Sequence, residues 1–568
     1  MKVTEKISEH AQIPHQPMDQ ADVTILGGSI CGLMTACHLK QQMPDLEVLV
    51  VGPKPCQEKR PIVGESLLEP ATYFFHRIGM EDYLEREQAI KCGLSFYYKL
   101  SPDDPVDRRY TVHSPELLHK FSRQLHRPRF DEDMRQHAIG LGVRFLEGVA
   151  KEIELGSGGT DHKLRLRLTD DDVGLKTRWV IDATGRSRWL GKQVTDYDRP
   201  KERQRSSFWF RLANFKPFSQ EIECSMRRPL KYDLWNTTHH FMGRGYFVWV
   251  IPLKSAEYDN ILSIGITFRP DLFDRRMNSV EEFLDFMDQE HPALADMVRS
   301  GMVLDKQTYG NFLYATNHFY SPDGWFLVGD AVRAVDPLYS TGLSLTVPQI
   351  EQIGEIISRQ RGPGITDQEI KVFEELWDTV AEARQEEITS LYDHMHDPFQ
   401  ACMRRYWNNI SWFNLILPLW WNGLFHDLEA ARILLTLFKQ GKPLQDSANR
   451  LFGQVAKKLG TQLSQADYDR AVDFDFLLNP AWDCTRGEVP YQFSRVFYKR
   501  AAHRWKLLQM THYRYMLGQL PSLTVEMIMY RLLPVILRWR APHAFPKLKK
   551  SKRTSESHHV SITGEVSS

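Results

Sequence analysis

The chain has 568 residues, with 72 Lys plus Arg balancing 72 Asp plus Glu. A formal net charge of zero leaves no field to gather nucleic acid, and a chain of this length predicts two or three regions around a core large enough to bury a cofactor. Seven cysteines, odd in number and without a C-x-x-C pair, fit a reduced, cytoplasmic compartment.

Residues 1–19 are polar, include Pro14 and Pro17, and lack the apolar core of a secretory signal, so a disordered tail is expected there. The apolar span 22–26 predicts a strand running into Gly27-Gly28-Ser29-Ile30-Cys31-Gly32, followed by a helix over 33–39 and a second strand over 46–51, a βαβ opening. In such a turn one glycine permits the bend, the next lets a pyrophosphate approach the backbone, and the last lets the helix pack closely. Here Ser29 replaces the middle glycine, and Gly52 stands where an acid commonly holds the adenosine ribose. Residues 60–68 read as a loop and 70–89 as a helix broken near Gly79. Lys91 follows at the expected helix end, where a lysine ordinarily compensates the dipole from the surface, ahead of an alternating aromatic strand over 94–98. The stretch 124–131 is expected to precede a helix through Ile139, and a strand begins at 142–146.

Two further apolar strands end in glycine: 179–182, leading into Asp182-Ala183-Thr184-Gly185, and 326–328, leading into Gly329-Asp330. Three such elements in order each deliver a loop at a strand's C-terminal end, the usual ligand crevice of an open α/β sheet. Between them, strands at 207–212, 241–252 and 260–268 predict a second, antiparallel layer, and one helix is predicted over 281–297. After Asp330 a Pro- and Gly-punctuated loop leads into a helix from Leu343; its first N–H groups either attract an anion or are capped by a Ser or Thr hydroxyl. Beyond 365 the chain is mainly helical, most clearly at 373–395, 427–438 and 498–517. The aromatic run 410–425 is short and broken for a bilayer span and reads as core or channel wall. Of His239 and His240, one is expected buried and one solvated; His394 and His396 do not share a helical face, so no metal is expected.

Taken together, these blocks resemble those of the flavin-dependent halogenases, a branch of the FAD-dependent monooxygenase superfamily, over residues 20–360. The resemblance implies an α/β (α+β) fold: a Rossmann-like FAD-binding domain at 20–205 and 300–360, an antiparallel substrate-side sheet at 206–299, a helical C-terminal region at 361–545, and disordered tails at 1–19 and 546–568. It assigns Gly27, Gly28, Ser29, Gly32, Glu65, Ser66, Arg127, Asp182, Gly185, Gly329, Asp330, Pro337 and Leu343 to FAD. Lys91, in Lys-x-Gly-x-x-Phe, falls at the family's catalytic lysine, and Thr341 and Gly342 fall where backbone amides hold the halide. Phe247-x-Trp249-x-Ile251-Pro252 is similar to the tunnel signature Trp-x-Trp-x-Ile-Pro, with phenylalanine for the first tryptophan.

Tyr339 replaces the glutamate of the tryptophan-specific enzymes, so the chain looks closer to the pyrrole, phenol and polyketide-type halogenases. The implied chemistry takes FADH2 from a separate flavin reductase, with oxygen and chloride or bromide, to make hypohalous acid. Lys91 then directs it at an electron-rich aromatic, free or carrier-bound. Two alternatives use the same blocks. One is an FAD-dependent aromatic monooxygenase in which Lys91 is an ordinary base. The other is a non-catalytic flavin-binding protein anchored to a membrane surface by the run 523–540 and the basic tail.

Overall fold

The computed structural model describes residues 20–53, 62–99, 109–112, 122–168, 171–218 and 232–459. The tails at 1–19 and 546–568, the helix expected at 498–517 and the run 523–540 lie outside the described residues. Two seven-stranded sheets organise the rest.

The first sheet is built on buried, β-branched runs that suit strands covered on both faces. Gln20–Leu26 pairs in parallel with Val48–Gly52 on one side and with Asp172–Asp182 on the other. The long Asp172–Asp182 strand has two kinds of partner along its second edge. Its first half runs antiparallel to His162–Arg167, and its last three residues run parallel to Trp325–Leu327. In register, Leu26 lies beside Asp182 and Asp182 beside Leu327. The three glycine loops expected from the sequence therefore open from one edge, side by side.

The second sheet runs in the order Met302–Tyr309, Ser206–Ala213, Ile261–Phe268, Tyr246–Leu253, Thr238–Gly243, Leu94–Lys99 and Arg109–Val112. All pairs are antiparallel except Thr238–Gly243 with Leu94–Lys99. This sheet draws strands from outside 206–299, and its strands differ from the expected alternating pattern. All eight residues of Tyr246–Leu253 are buried, because both faces are covered. Phe210, Val248 and Ile264 pack on Phe283 and Met287, while Trp209, Phe247, Trp249 and Ile251 pack on the side of Leu338, Tyr339 and Tyr392.

Two local expectations need correction. The single strand at 241–252 is a hairpin of Thr238–Gly243 and Tyr246–Leu253, turning through the exposed Arg244 and through Gly245 at φ 74, so Gly243-Arg244-Gly245 was the turn signal. The single helix at 281–297 is two, Val280–Glu290 and Pro292–Ser300, because His291 leaves helical geometry (φ −148, ψ 63) and Pro292 starts the next helix without needing an N–H partner.

The C-terminal part continues with Asp367–Leu391, opened by a Thr366 capping box, then Pro398–Ser411, a π-helical turn at Trp412–Ile416, and Leu417–Trp421 and Leu428–Leu459. Trp412, Leu415, Leu419, Trp420 and Phe425 join the core that surrounds the first sheet. Among the described residues no helix is long and apolar enough to cross a membrane.

Gly265 lies in register between Trp209 and Trp249, and a Cβ there would stand 2.4 Å from a carbon of each side chain. Gly265→Ala should therefore lower stability by about 1–3 kcal/mol in a denaturant titration. An unchanged midpoint would show that the two indoles are not held where the sheet puts them.

Candidate functional site

A cavity of about 1540 Å³ lies between the loop edge of the first sheet and the second sheet. Gly27, Gly28, Ser29, Glu65, Ser66, Arg127, Gly185, Asp330, Pro337, Gly342 and Leu343 line it together with Phe247, Trp249 and Ile251. Gly32, Asp182, Gly329, Thr341, Tyr339, Pro252 and Lys91 are not in its lining.

The glycine turn is shaped by close backbone approach. Gly27 sits at φ 115, and a Cβ on it would meet the Ala183 carbonyl oxygen at 2.3 Å; one on Gly32 would meet the Gly27 oxygen at 1.9 Å. A Cβ on Gly52 would lie 2.9 Å from the Gly28 nitrogen, so an acid there would disturb the turn. Asp131 instead brings a carboxylate to this corner. Ser29 Oγ donates to it at 2.7 Å, and Arg127 donates to both its oxygens, from Nε at 2.7 Å and from Nη2 at 2.9 Å. Arg127 also donates to the Val63 carbonyl at 2.6 Å. It belongs to the helix Arg127–Gly140 and does not precede one, since Pro128 is well suited to a first turn.

Across the cavity, Arg186 stacks over the Tyr309 ring at 3.8 Å. Burial pushes the Asp330 carboxyl up, opposed by Arg186 and Arg127. A glycine turn opening a helix, with the Arg127 and Arg186 guanidiniums in the same cavity lining, suits a pyrophosphate, and the fit to a dinucleotide such as FAD is good. Asp182 has a different place. Its oxygens accept from Thr184 N–H and Oγ1 and from the N–H groups of Leu190 and Gly191, so it shapes the Gly185 loop from behind.

Next to Gly342, Tyr339 and Ser340 both adopt left-handed backbone, at φ 69 and φ 58. The helix Gly342–Arg361 begins at Thr341, whose hydroxyl makes no capping bond. Of the two readings of this helix start, the hydroxyl cap is not made, and Gly342 lies on the cavity wall.

Lys91 is not a surface cation at a helix end. It ends the short strand Ala89–Lys91, paired with Ser122–Gln124, and is only 2 % exposed. Its Nζ donates to the Leu67 carbonyl at 2.6 Å, directly behind Ser66 of the cavity wall. Burial pushes its pKa down to about 7, against the opposing pull of Glu69. His239 and His240 are both buried, contrary to the expected buried and solvated pair, because the parallel strand Leu94–Lys99 covers their edge. His240 stacks on Phe96 at 4.8 Å and is pushed down to about 3 by burial and then by Lys91. Phe96 meets Tyr339 edge to face at 5.9 Å, so an aromatic strip runs from the lysine to the left-handed loop.

Burial also drives Glu65 up to about 7, eased by Ser263, Arg211 and Arg127, and its Oε1 has no partner. Sequence reasoning passed over Asp131, Arg186, Glu69 and the covering role of His240. Arg186 directly follows a recognised block, and Glu69 directly follows another; those adjacencies were the available signals.

The tryptophan halogenase family model matches residues 105–405, over half of the chain. The flavin-dependent halogenase chlA of Dictyostelium discoideum is 26% identical over 445 residues, 71% of each protein. The 1H-pyrrole-2-carbonyl-(peptidyl-carrier protein) brominase of Pseudoalteromonas luteoviolacea is 24% identical over 339 residues, 58% of this chain and 75% of that protein. Among solved structures, halogenase PltM in complex with phloroglucinol and FAD has the same fold, with a TM-score of 0.63 at 19% identity, covering 85% of this chain and 99% of that one.

Folded Lys91 holds its proton less tightly than the unfolded chain does, so the unfolded state binds the extra proton between pH 7 and the ordinary 10.5. Wild-type stability should therefore rise across that window relative to Lys91→Met, measured as paired urea titrations. A difference independent of pH would mean that Lys91 is not desolvated.

Proposed function

We propose, on the premise that this chain belongs to the tryptophan halogenase family and is a flavin-dependent halogenase with FAD as its cofactor, that it halogenates an electron-rich aromatic through Lys91. The observation that carries this reading is the burial of Lys91 against the loop that lines the cavity. Gly27, Gly28, Ser29, Arg127 and Arg186 would hold the pyrophosphate, and Glu65, Ser66, Pro337 and Leu343 would flank the ring. Bound and reduced, FAD supplies the electrons with which dioxygen oxidises chloride or bromide to hypohalous acid.

The chain's own groups do the rest. Thr341 and Gly342 offer backbone N–H groups, backed by the positive end of a 20-residue helix, to the halide. Phe247, Trp249 and Ile251 make an apolar wall that keeps water from the oxidant on its way to the lysine. With a pKa near 7, Lys91 is present both as ammonium, which can hydrogen-bond hypohalous acid, and as amine, which can attack its halogen to give a haloamine and water. Nζ can do either while one N–H keeps its bond to the Leu67 carbonyl, since the ammonium has further N–H donors and the amine attacks with its lone pair.

Tyr339, which packs on Phe96 in place of offering a carboxylate, favours a substrate other than free tryptophan. The pyrrole brominase among the relatives acts on a carrier-bound ring, which supports a pyrrole or phenol, free or on a carrier protein. The sequence has no second nucleotide fingerprint, so a separate flavin reductase is the proposed source of FADH2.

With a flavin reductase, bromide and a panel of phenols and pyrroles, the wild-type product should carry the bromine isotope pattern. Lys91→Ala should lower product formation by at least about 100-fold while binding FAD as before. Full bromination by that variant would remove Lys91 from the mechanism. In stopped-flow mixing with NADPH alone the bound flavin should stay oxidised; rapid bleaching would argue for a self-sufficient monooxygenase.

A further inference from the structure

We propose that Arg205 and Asp336 are positioning residues that hold the loop carrying the halide seat, an inference that rests on reading Thr341 and Gly342 as that seat. Both side chains are 0 % exposed, and Arg205 Nε donates to Asp336 Oδ2 at 2.8 Å. The other carboxylate oxygen accepts the Leu338 N–H at 3.0 Å, and the Asp336 N–H donates to Gln385 Oε1 at 3.2 Å. Arg205 is itself fixed, with Nη1 donating to the carbonyls of Arg203 and Gln204 and its guanidinium 3.8 Å over the Tyr392 ring. Asp336 therefore ties its own loop to the start of the Ser206–Ala213 strand through its carboxylate, and to the Asp367–Leu391 helix through its backbone N–H.

Such a pair is a weak source of stability, since desolvating two charges offsets most of their attraction. Its position explains its presence better. Asp336 and Leu338 immediately precede Tyr339 and Ser340, two side-chain-bearing residues in left-handed backbone, which persist only where the surroundings over-determine them. The clasp fixes the near end of that strained turn, and the helix start at Thr341 fixes the far end. Neither Arg205 nor Asp336 lines the cavity, so they act through the loop. Arg205 also cancels a carboxylate charge that would otherwise oppose a halide close by.

The test is the bromide dependence of turnover by the full-length, FAD-loaded enzyme with a flavin reductase. Asp336→Asn should raise the bromide KM by about tenfold or more, with a much smaller change in kcat at saturating bromide and in FAD affinity measured by fluorescence. Arg205→Lys should retain more halide affinity than Arg205→Gln. Gln385→Leu leaves the ion pair intact and should give a smaller rise in the same direction, which keeps the test available if the charge variants do not fold. A folded variant set with unchanged bromide KM, or with bromide KM, aromatic KM and FAD affinity worsening together, would overturn the clasp as a positioning device. Anomalous density in a bromide-soaked wild-type crystal checks the seat itself. Its absence at Thr341 and Gly342 would overturn the halide reading, whatever the variants show.

Discussion

The carboxylate of Asp182 is the constraint on which the cavity depends. It lies fully buried at the end of the central strand and is tolerable there only because four donors from its own loop satisfy it. The same residue's carbonyl accepts the Val328 N–H at 3.0 Å, while the Ala183 N–H donates to the Leu26 carbonyl at 2.8 Å. Main chain and side chain together bind the three strand ends and fold the loop that carries Gly185 and Arg186. Arg186, a residue of the cavity lining, is therefore set in place by a group that never reaches the cavity.

Desolvation works in opposite directions at two buried sites, and the charges beside each decide the outcome. At Glu351 burial is the largest single influence and would raise the pKa, yet Arg77 and His426 together overcome it and bring the carboxyl down to about 2, with Trp420 Nε1 donating at 3.0 Å. That cluster pins the Gly342–Arg361 helix to the aromatic C-terminal run. At Lys91 one partner, Glu69, is present, and burial wins. Compensating charge outweighs burial at Glu351 and does not at Lys91.

The three glycine blocks were legible because their demands are local: a strand end, a positive φ, a helix that must pack closely. The apolar spacing of the helix after Leu343 was legible for the same reason. Lys91 was misplaced because the strand that holds it is three residues long and exists only through pairing with Ser122–Gln124. The burial of both histidines depends on Leu94–Lys99 joining the sheet in parallel, a pairing no local pattern announces. The hairpin at Gly245 carried its turn signal in Gly243-Arg244-Gly245, which the apolar runs on both sides outweighed in the reading of one strand. Asp131 reads in the sequence as the end of a stretch preceding a helix, and its role depends on Ser29 and Arg127 being brought to it.

The register of Asp182 with Leu327 has a consequence for how the chain reaches this state. The strand Trp325–Leu327 is synthesised only after every strand of the second sheet, yet it completes the first sheet beside a strand made far earlier. Neither sheet is a segment that can finish alone as it leaves the ribosome. The last three residues of Asp172–Asp182 must wait with that edge unpaired until the later chain arrives. High contact order of this kind makes folding slow and leaves an open strand edge in the interim. The left-handed turn at Tyr339 and Ser340 lies further along the chain and is made later still.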